Sequence, residues 1–391
     1  MRGEVKVSPN GGILRAMIHK HLIIAAVFAV AACAQTTETP RDPVAALAPY
    51  AAAVSGLPTA PAGASLPSAS SVLNRIVFGS CQTAERPIPI LDRIVADKPD
   101  LAVYLGDNVY GDANAGDMAL PELRAQYALL AGRPEFQRLR AAVPMHAVWD
   151  DHDYGLNDAG GTFSGKGLSK RIFETFWGTT ARTGARDGVY DSAIYGAEGR
   201  RVQIIMLDTR YARSALTRYP ANDPRGRYAP SEDAAQRMLS EDQWRWFEAE
   251  LARPADVRFV VSSIQVLADG HGWEAWKTMP REQTRLFETI KRAGANGVVF
   301  VSGDRHVAGL YRQDGLIGYP AYELTASSLN LSFRETSDER SQNQIGALYA
   351  PVNYGTALMN WEAGSIALQV NSETGDAVRE QIVQLAALAV R

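Results

Sequence analysis

At 391 residues the chain has room for one large domain or two ordinary ones. Hydrophobic residues make up 46% and charged residues 21%, so most of its length can bury a core. A formal net charge of -3 gives no electrostatic case for specific nucleic-acid binding. Past residue 33 no apolar run approaches the ~18 residues of a spanning helix.

In chain order, Ile18-His19-Lys20-His21 is a short basic region ahead of the apolar run LIIAAVFAVAA, which ends at Ala32 before Cys33. Small residues before a cysteine resemble a bacterial lipoprotein signal, leaving a lipid on Cys33. The alternative is an ordinary secretory signal cut after the same residues. Either way the expectation is export, and with the lipid a membrane partner, in the periplasm or at the cell surface. A start at Met17 gives the more typical signal. If Cys33 carries the anchor, Cys81 has no disulfide partner, since these are the two cysteines of the chain. From Ala34 to about Ser71 the Ala/Pro/Ser/Thr-rich stretch reads as a tether, with a short helix around Val44 to Val54.

The folded domain is expected from about Val72 to the end. Strand RIVFGSC, a helix with Ile90, Ile94 and Val95 on one face, and strand LAVYLGD make a βαβ unit. Pro121 to Ala142 reads as a helical pair with Pro at each start. Strand PMHAVWDDHD, a Gly-rich loop and the amphipathic helix LSKRIFETFWG follow. A hairpin spans Gly188 to Thr209, turning at Ala197-Glu198-Gly199, and a long polar loop runs from Arg210 to Glu241. Helix DQWRWFEAELAR precedes a second unit of strand VRFVVSSIQ, helix PREQTRLFETIKRAG and strand GVVFVSGD. The C-terminal part reads as strands with a Thr-Gly-Asp turn. This order predicts a two-sheet α/β sandwich.

Each apolar run discharges into ligand-capable side chains: Cys81, then Asp107 and Tyr110, then Asp150 to Asp153, then Asp208, then Asp304 and His306. Strand ends are where α/β sheets bind ligands, so one metal-bearing edge is expected. Asp107 reads either as a turn residue or as a carboxylate bridging two metals. A phenolate at Tyr110 beside a thiolate is a donor set favouring ferric iron over magnesium. Two metal ligands and a proton donor are expected within Asp150 to Asp153, and Asn157 is read as a loop stabiliser or a neutral oxygen ligand. If the chain stays extended, Asp304 and His306 point the same way.

FGSC, GDNVYGD, VWDDHDYGLND, LDTR and SGDRH, in that order from about Arg75 to Asn330, resemble the PhoD-like (alkaline phosphatase D) branch of the metallophosphatases. The resemblance implies a four-layer sandwich of two mixed β-sheets flanked by helices. It further implies hydrolysis of phosphomonoesters and phosphodiesters at a site holding Fe(III) with Ca2+. Carried over, Cys81, Asp107, Tyr110 and His306 hold the iron; Asp107, Asp151 or Asn157, and Asp304 hold the calcium. A hydroxide held by the metals would attack phosphorus in line, with Arg305 neutralising phosphoryl charge and His152, or else His271, protonating the departing oxygen. Ser262 and Ser263 stand where other metallophosphatases carry a histidine, leaving His271 as the stand-in. Leu156, Trp273 and Trp276 are expected to form an apolar mouth. The rival readings are a lipid-anchored metal- or phosphate-binding protein without chemistry, and a phospholipase D-like phosphodiesterase.

Overall fold

The computed structural model describes residues 42–114, 116–333 and 339–390. The expected export segment and Cys33 lie outside the described residues. Among the described residues no helix is long and apolar enough to cross a membrane.

Helix α1 (Pro43–Ala53) starts at Asp42, whose carboxylate accepts from the Val44 N–H at 3.0 Å. Strand β1 (Arg75–Gly79), helix α2 (Ile90–Ala96) and strand β2 (Leu101–Leu105) form the first βαβ unit. Helices α3 (Pro121–Gly132) and α4 (Pro134–Ala142), each with Pro in its first turn, lead to β3 (Met145–Val148). Then come the short α5 (Asp151–Tyr154), α6 (Lys166–Trp177), the single turn α7 (Thr180–Thr183), and the hairpin of β4 (Asp191–Tyr195) and β5 (Val202–Met206). Helix α8 (Glu241–Leu251), β6 (Val257–Val261), α9 (Pro280–Arg292) and β7 (Val298–Ser302) make the second unit. The chain ends with β8 (Ala308–Gln313), β9 (Ala321–Thr325), β10 (Gln344–Tyr349), β11 (Asn353–Asn360), β12 (Ser365–Ser372) and β13 (Ala377–Gln384).

Two mixed sheets result. One has the order β13-β12-β11-β1-β2-β3, and the other β10-β8-β9-β7-β6-β5-β4. Strands β1, β2 and β3 run parallel, as do β5, β6, β7 and β9. Strands β2, β6 and β7, apolar but for Arg258 and Ser302, are buried along their whole length, as strands covered on both faces are. The inner faces meet where Phe78 of β1 lies against Phe259 of β6, ring centroids 5.3 Å apart. Helices cover the outer faces; α9, for example, buries Leu286, Phe287 and Ile290 at helical spacing. The expected four-layer α/β sandwich is therefore present.

Parallel strands bring their C-terminal ends to one edge, and two glycines let those ends close up. A Cβ at Gly303, after β7, would sit 2.4 Å from Ser80 Oγ after β1. Gly106, after β2, has φ +105°, and a Cβ there would lie 2.5 Å from that of Asp150 after β3.

Three details differ from the sequence reading. Residues from Asp42 onward belong to the compact unit, so the stretch to Ser71 is a strap rather than a free tether. Arg171 of α6 donates to the carbonyls of Ala51 and Val54, and the Ala60 and Ala64 N–H groups bond the carbonyls of Phe176 (3.1 Å) and Arg140 (2.7 Å). Its small side chains form no core of their own, but they allow close approach to a ready-made surface. Second, β3 stops at Val148, and Asp151 begins a helical turn with Asp150 as its N-cap. Third, the chain is not extended at Asp304 and His306, where φ is +68° and +55°.

A chain beginning at Val72 should lose the strap's partly buried Val54, Leu57 and Ala60 and both Arg171 bonds. That amounts to roughly 2–4 kcal/mol of stability relative to a chain beginning at Asp42. Urea midpoints at constant m-value check it, and equal midpoints would return the segment to a tether.

Candidate metal centre

The first group of donors comes from both sheets. Cys81, just past β1, places Sγ 3.4 Å from Asp107 Oδ2 and 3.1 Å from Ser327 Oγ. The Tyr110 hydroxyl donates to Asp107 Oδ2 at 3.1 Å and lies 3.2 Å from His306 Nε2. His306 Nδ1 donates to the Leu331 carbonyl at 2.6 Å, which leaves the Nε2 lone pair directed at this group. Burial lowers the His306 pKa to about 4, so the ring is neutral. Burial pushes the Cys81 thiol and the Tyr110 phenol well up, and the Asp107 charge adds to both. A cation replacing their protons would reverse that balance.

The second group adjoins the first through Asp107. Ligand atoms of Asp107, Asp151 and His152 lie within 4.8 Å of one another, as do those of Asp150, Asp151 and Asp304. Burial raises the Asp107 and Asp304 carboxyls, and neighbouring aspartates raise both further. Burial alone would raise Asp151 too, but His152, Arg210 and the Asp158 N–H (2.7 Å) bring it below the usual carboxylate range. Burial alone would lower His152. The charges of Asp151 and Asp107, and Asp112 bonded to Nδ1 at 2.9 Å, lift it to about 11 instead.

The four-residue acidic run divides its labour. Asp153 accepts from the Asp150 N–H at 2.6 Å and from Asn108, so it holds the turn. Asp150 Oδ1 accepts from Arg210 Nε (2.5 Å) and Ser263 Oγ (2.7 Å). Only Asp151 and His152 of the run line the cleft. Asp208 is likewise structural, accepting from the Val189, Arg210 and Tyr211 N–H groups at 2.8–2.9 Å.

The buried ion network was not legible in the sequence. Arg210 is fully buried, with Nη1 2.6 Å from Glu274 Oε2 and Nη2 2.5 Å from Asp150 Oδ1. Arg213, also buried, lies 2.7 Å from Glu274 Oε1 and donates to the carbonyls of Asp158 and Ala159. Both arginines sit in the segment read as a polar loop. The one clue was the pair Thr209-Arg210 directly after an apolar strand. Glu274 and Asp158 also line the cleft, and their oxygens lie within 4.8 Å of one from Asp151.

The cleft holds about 530 Å³, and Tyr110, Asp151, His152, Asn157, Asp304, Arg305 and His306 all line it. Arg305 pairs with Glu339, and its guanidinium lies 5.9 Å from the Trp273 ring centroid. His271 does not reach the donor groups. Its Nδ1 accepts from the Trp273 N–H at 3.1 Å, so Nε2 carries the proton and donates to Gln265 Oε1 at 2.9 Å. With both nitrogens engaged and the ring kept neutral by burial, His271 fastens its loop and has no nitrogen left for a metal or a leaving group. Ser262 accepts from Trp276 Nε1 (2.9 Å), so Trp276 is interior, and Leu156 lines a separate cavity. Of the expected mouth, Trp273 alone is at the cleft.

The residues present fit a metal centre. Asp107 Oδ1, Asp150 Oδ2 and Asp151 Oδ1 are buried without a hydrogen bond among the described residues, beside convergent sulfur, phenol and imidazole donors. Buried carboxylates this close must hold either protons or a cation among them, and the convergent sulfur, phenol and imidazole donors suit a cation.

A two-sheet sandwich of the metallophosphatase kind, with donors gathered at the strand ends, defines the class. The sequence matches the PhoD-like phosphatase family over residues 76–162 and 177–377, and the chain belongs to that family. It is 23% identical over 307 residues to alkaline phosphatase D of Bacillus subtilis (strain 168), covering 67% of this chain and 48% of that one. The chain thus spans about half the length of that relative. Among solved structures it is similar to PhoD, with a TM-score of 0.62 and 16% identity over 84% of this chain and 70% of that one. A purple acid phosphatase from yellow lupin (Lupinus luteus) matches at TM-score 0.54 and 11% identity, over 82% of this chain and 56% of that one.

Replacing Arg210 by Met should strand the carboxylates of Asp150 and Glu274 and destabilise the protein by about 3–5 kcal/mol. Arg245→Met, which removes an exposed pair with Asp242, should cost less than about 1 kcal/mol. Denaturant titration of the two variants makes the comparison.

Proposed function

We propose that the chain is an exported, metal-dependent phosphoesterase acting on phosphomonoesters and phosphodiesters. The observation that carries this reading is the pair of donor groups sharing Asp107 at the floor of a cleft that also presents Arg305. Cys81, Asp107, Tyr110 and His306 would hold Fe(III), because a thiol and a phenol together suit a trivalent, thiolate-tolerant ion. Asp107, Asp151 and Asp304, with Asn157 as a neutral oxygen nearby, would hold Ca2+, which takes oxygen ligands. Such a pair of ions, when bound, supplies a water of lowered pKa and neutralises charge on the phosphoryl oxygens.

The protein's own groups do the rest. Arg305 is held at the cleft by Glu339 and places its charge where phosphoryl oxygens gather. His152, its Nδ1 bonded to Asp112, holds a proton at Nε2 for the departing oxygen. Leu331 keeps His306 in the tautomer that presents Nε2. The run of small residues ending at Cys33 supports a lipid anchor in a bacterial membrane, with the site in the periplasm or at the cell surface.

Protein from Asp42 onward, loaded with iron and calcium, should hydrolyse bis(4-nitrophenyl) phosphate and 4-nitrophenyl phosphate. Asp304→Ala should lower kcat/KM by about 10³-fold or more. No turnover of either ester by metal-loaded protein would favour a non-catalytic binding protein. Tyr110→Phe should abolish the visible phenolate-to-iron absorption; an unchanged spectrum would remove Tyr110 from the iron.

A further inference from the structure

Two aromatic rings at the cleft mouth stay exposed although the backbone leading into each is held. Trp273 is 43% and Phe333 65% exposed, and both line the cleft. Single exposed aromatics are ordinary on a protein surface, but two beside one charged cleft are not.

Trp273 sits between two anchors. On one side its N–H bonds His271, and the preceding Gly272 carbonyl accepts from the Arg227 and Tyr228 N–H groups at 2.8 and 2.9 Å. On the other, Glu274 is clamped by Arg210 and Arg213. Phe333 is held similarly. The Leu331 carbonyl accepts from His306 and, at 3.0 Å, from Ser328 Oγ, while Ser332 Oγ bonds the Ala350 carbonyl at 2.7 Å. The Phe333 ring lies on that of His306, centroids 3.9 Å apart and planes 36° to each other. Rings fixed before a ligand arrives lose little entropy when one binds.

Charge and size narrow the occupant. Arg305, paired with Glu339, and Arg227, 2.6 Å from Asp158, line the same cleft as Asp151, Glu274 and Asp304, so it takes an anion once cations sit among those carboxylates. About 530 Å³ falls in the range of sites that enclose a whole small molecule, well beyond a phosphate group. A flat ring beside an aromatic face gains stacking that a saturated chain does not.

We propose that Trp273 and Phe333 form a subsite for a planar aromatic group carried on the phosphate ester. This rests on the reading of the cleft as a phosphoester site, and it names a substrate class within it: aryl-bearing or nucleobase-bearing esters.

The test measures binding, so it does not depend on turnover. Calorimetry on the metal-loaded protein would compare benzylphosphonate, cyclohexylmethylphosphonate and methylphosphonate. The expected order is benzyl about tenfold tighter than methyl, with cyclohexylmethyl between them. Phe333→Leu, which keeps apolar bulk and loses the plane, should bring the benzyl-to-methyl ratio near one, as should Trp273→Ala. Trp273→Phe should keep most of it. Equal affinities in the wild type, or a Phe333→Leu or Trp273→Ala protein that retains the ratio, would overturn the subsite. Cyclohexylmethyl binding as tightly as benzyl would also overturn it and point to lipid chains. A benzyl preference in a protein that hydrolyses no ester would keep the subsite and sink the phosphoesterase reading alone.

Discussion

The backbone turns left-handed at Cys81, Asp107, Asp304 and His306, and the centre exists because it does. None of the four is glycine, so each such turn costs of order 1–2 kcal/mol. That cost is tolerated because buried strands lead into each turn and Gly106 and Gly303 let the strand ends approach. An extended chain at the same positions would send successive side chains to opposite faces of the sheet. Turning within one residue instead aims donors from both sheets at a common volume.

Gathering carboxylates there creates an electrostatic problem with two solutions. At the inner side, Arg210 and Arg213 neutralise Asp150 and Glu274 permanently, in a network where nearly every atom is buried. Toward the cleft, Asp151 has His152 and a longer 3.8 Å approach from Arg210, while Asp107 and Asp304 are crowded by other aspartates, so charge is left there for a cation. The two sets differ in consequence. Arginines tie the second sheet's loop to β3 and set its position, while the open carboxylates set affinity for metal. Chemically identical side chains one residue apart, Asp150 and Asp151, thereby acquire different tasks.

The loop that carries Trp273 is fixed from beneath by the same network. Glu274 is at once a partner of the buried arginines and the neighbour of exposed Trp273. His271, on the other side of Trp273, spends both ring nitrogens on its own loop. On that side of the rim, order thus follows from charge pairing in the interior.

Much of this was legible from sequence. Apolar runs of five or so residues ending in Gly, Asp, Cys or His mark strands and their ligand-bearing ends through local patterning alone. That suffices to place Cys81, Asp107, Asp151, Asp304 and His306 past the C-terminal ends of strands. It does not say which member of Asp150 to Asp153 faces the cleft, because a cap and a ligand are the same residue type. It does not reveal Arg210, Arg213 and Glu274 either, since charged residues in a polar segment read as solvated until a fold buries them together. His271 looked like a spare ligand and is a loop fastener, and the Ala-rich stretch looked like a tether with one short helix and is docked. Local pattern by itself determined the strands from β1 to β7, their succession along the chain and the donor chemistry. Which donors meet, which are neutralised and which rings stay exposed was decided by tertiary structure alone, because those depend on groups 60 to 250 residues apart arriving within hydrogen-bonding distance.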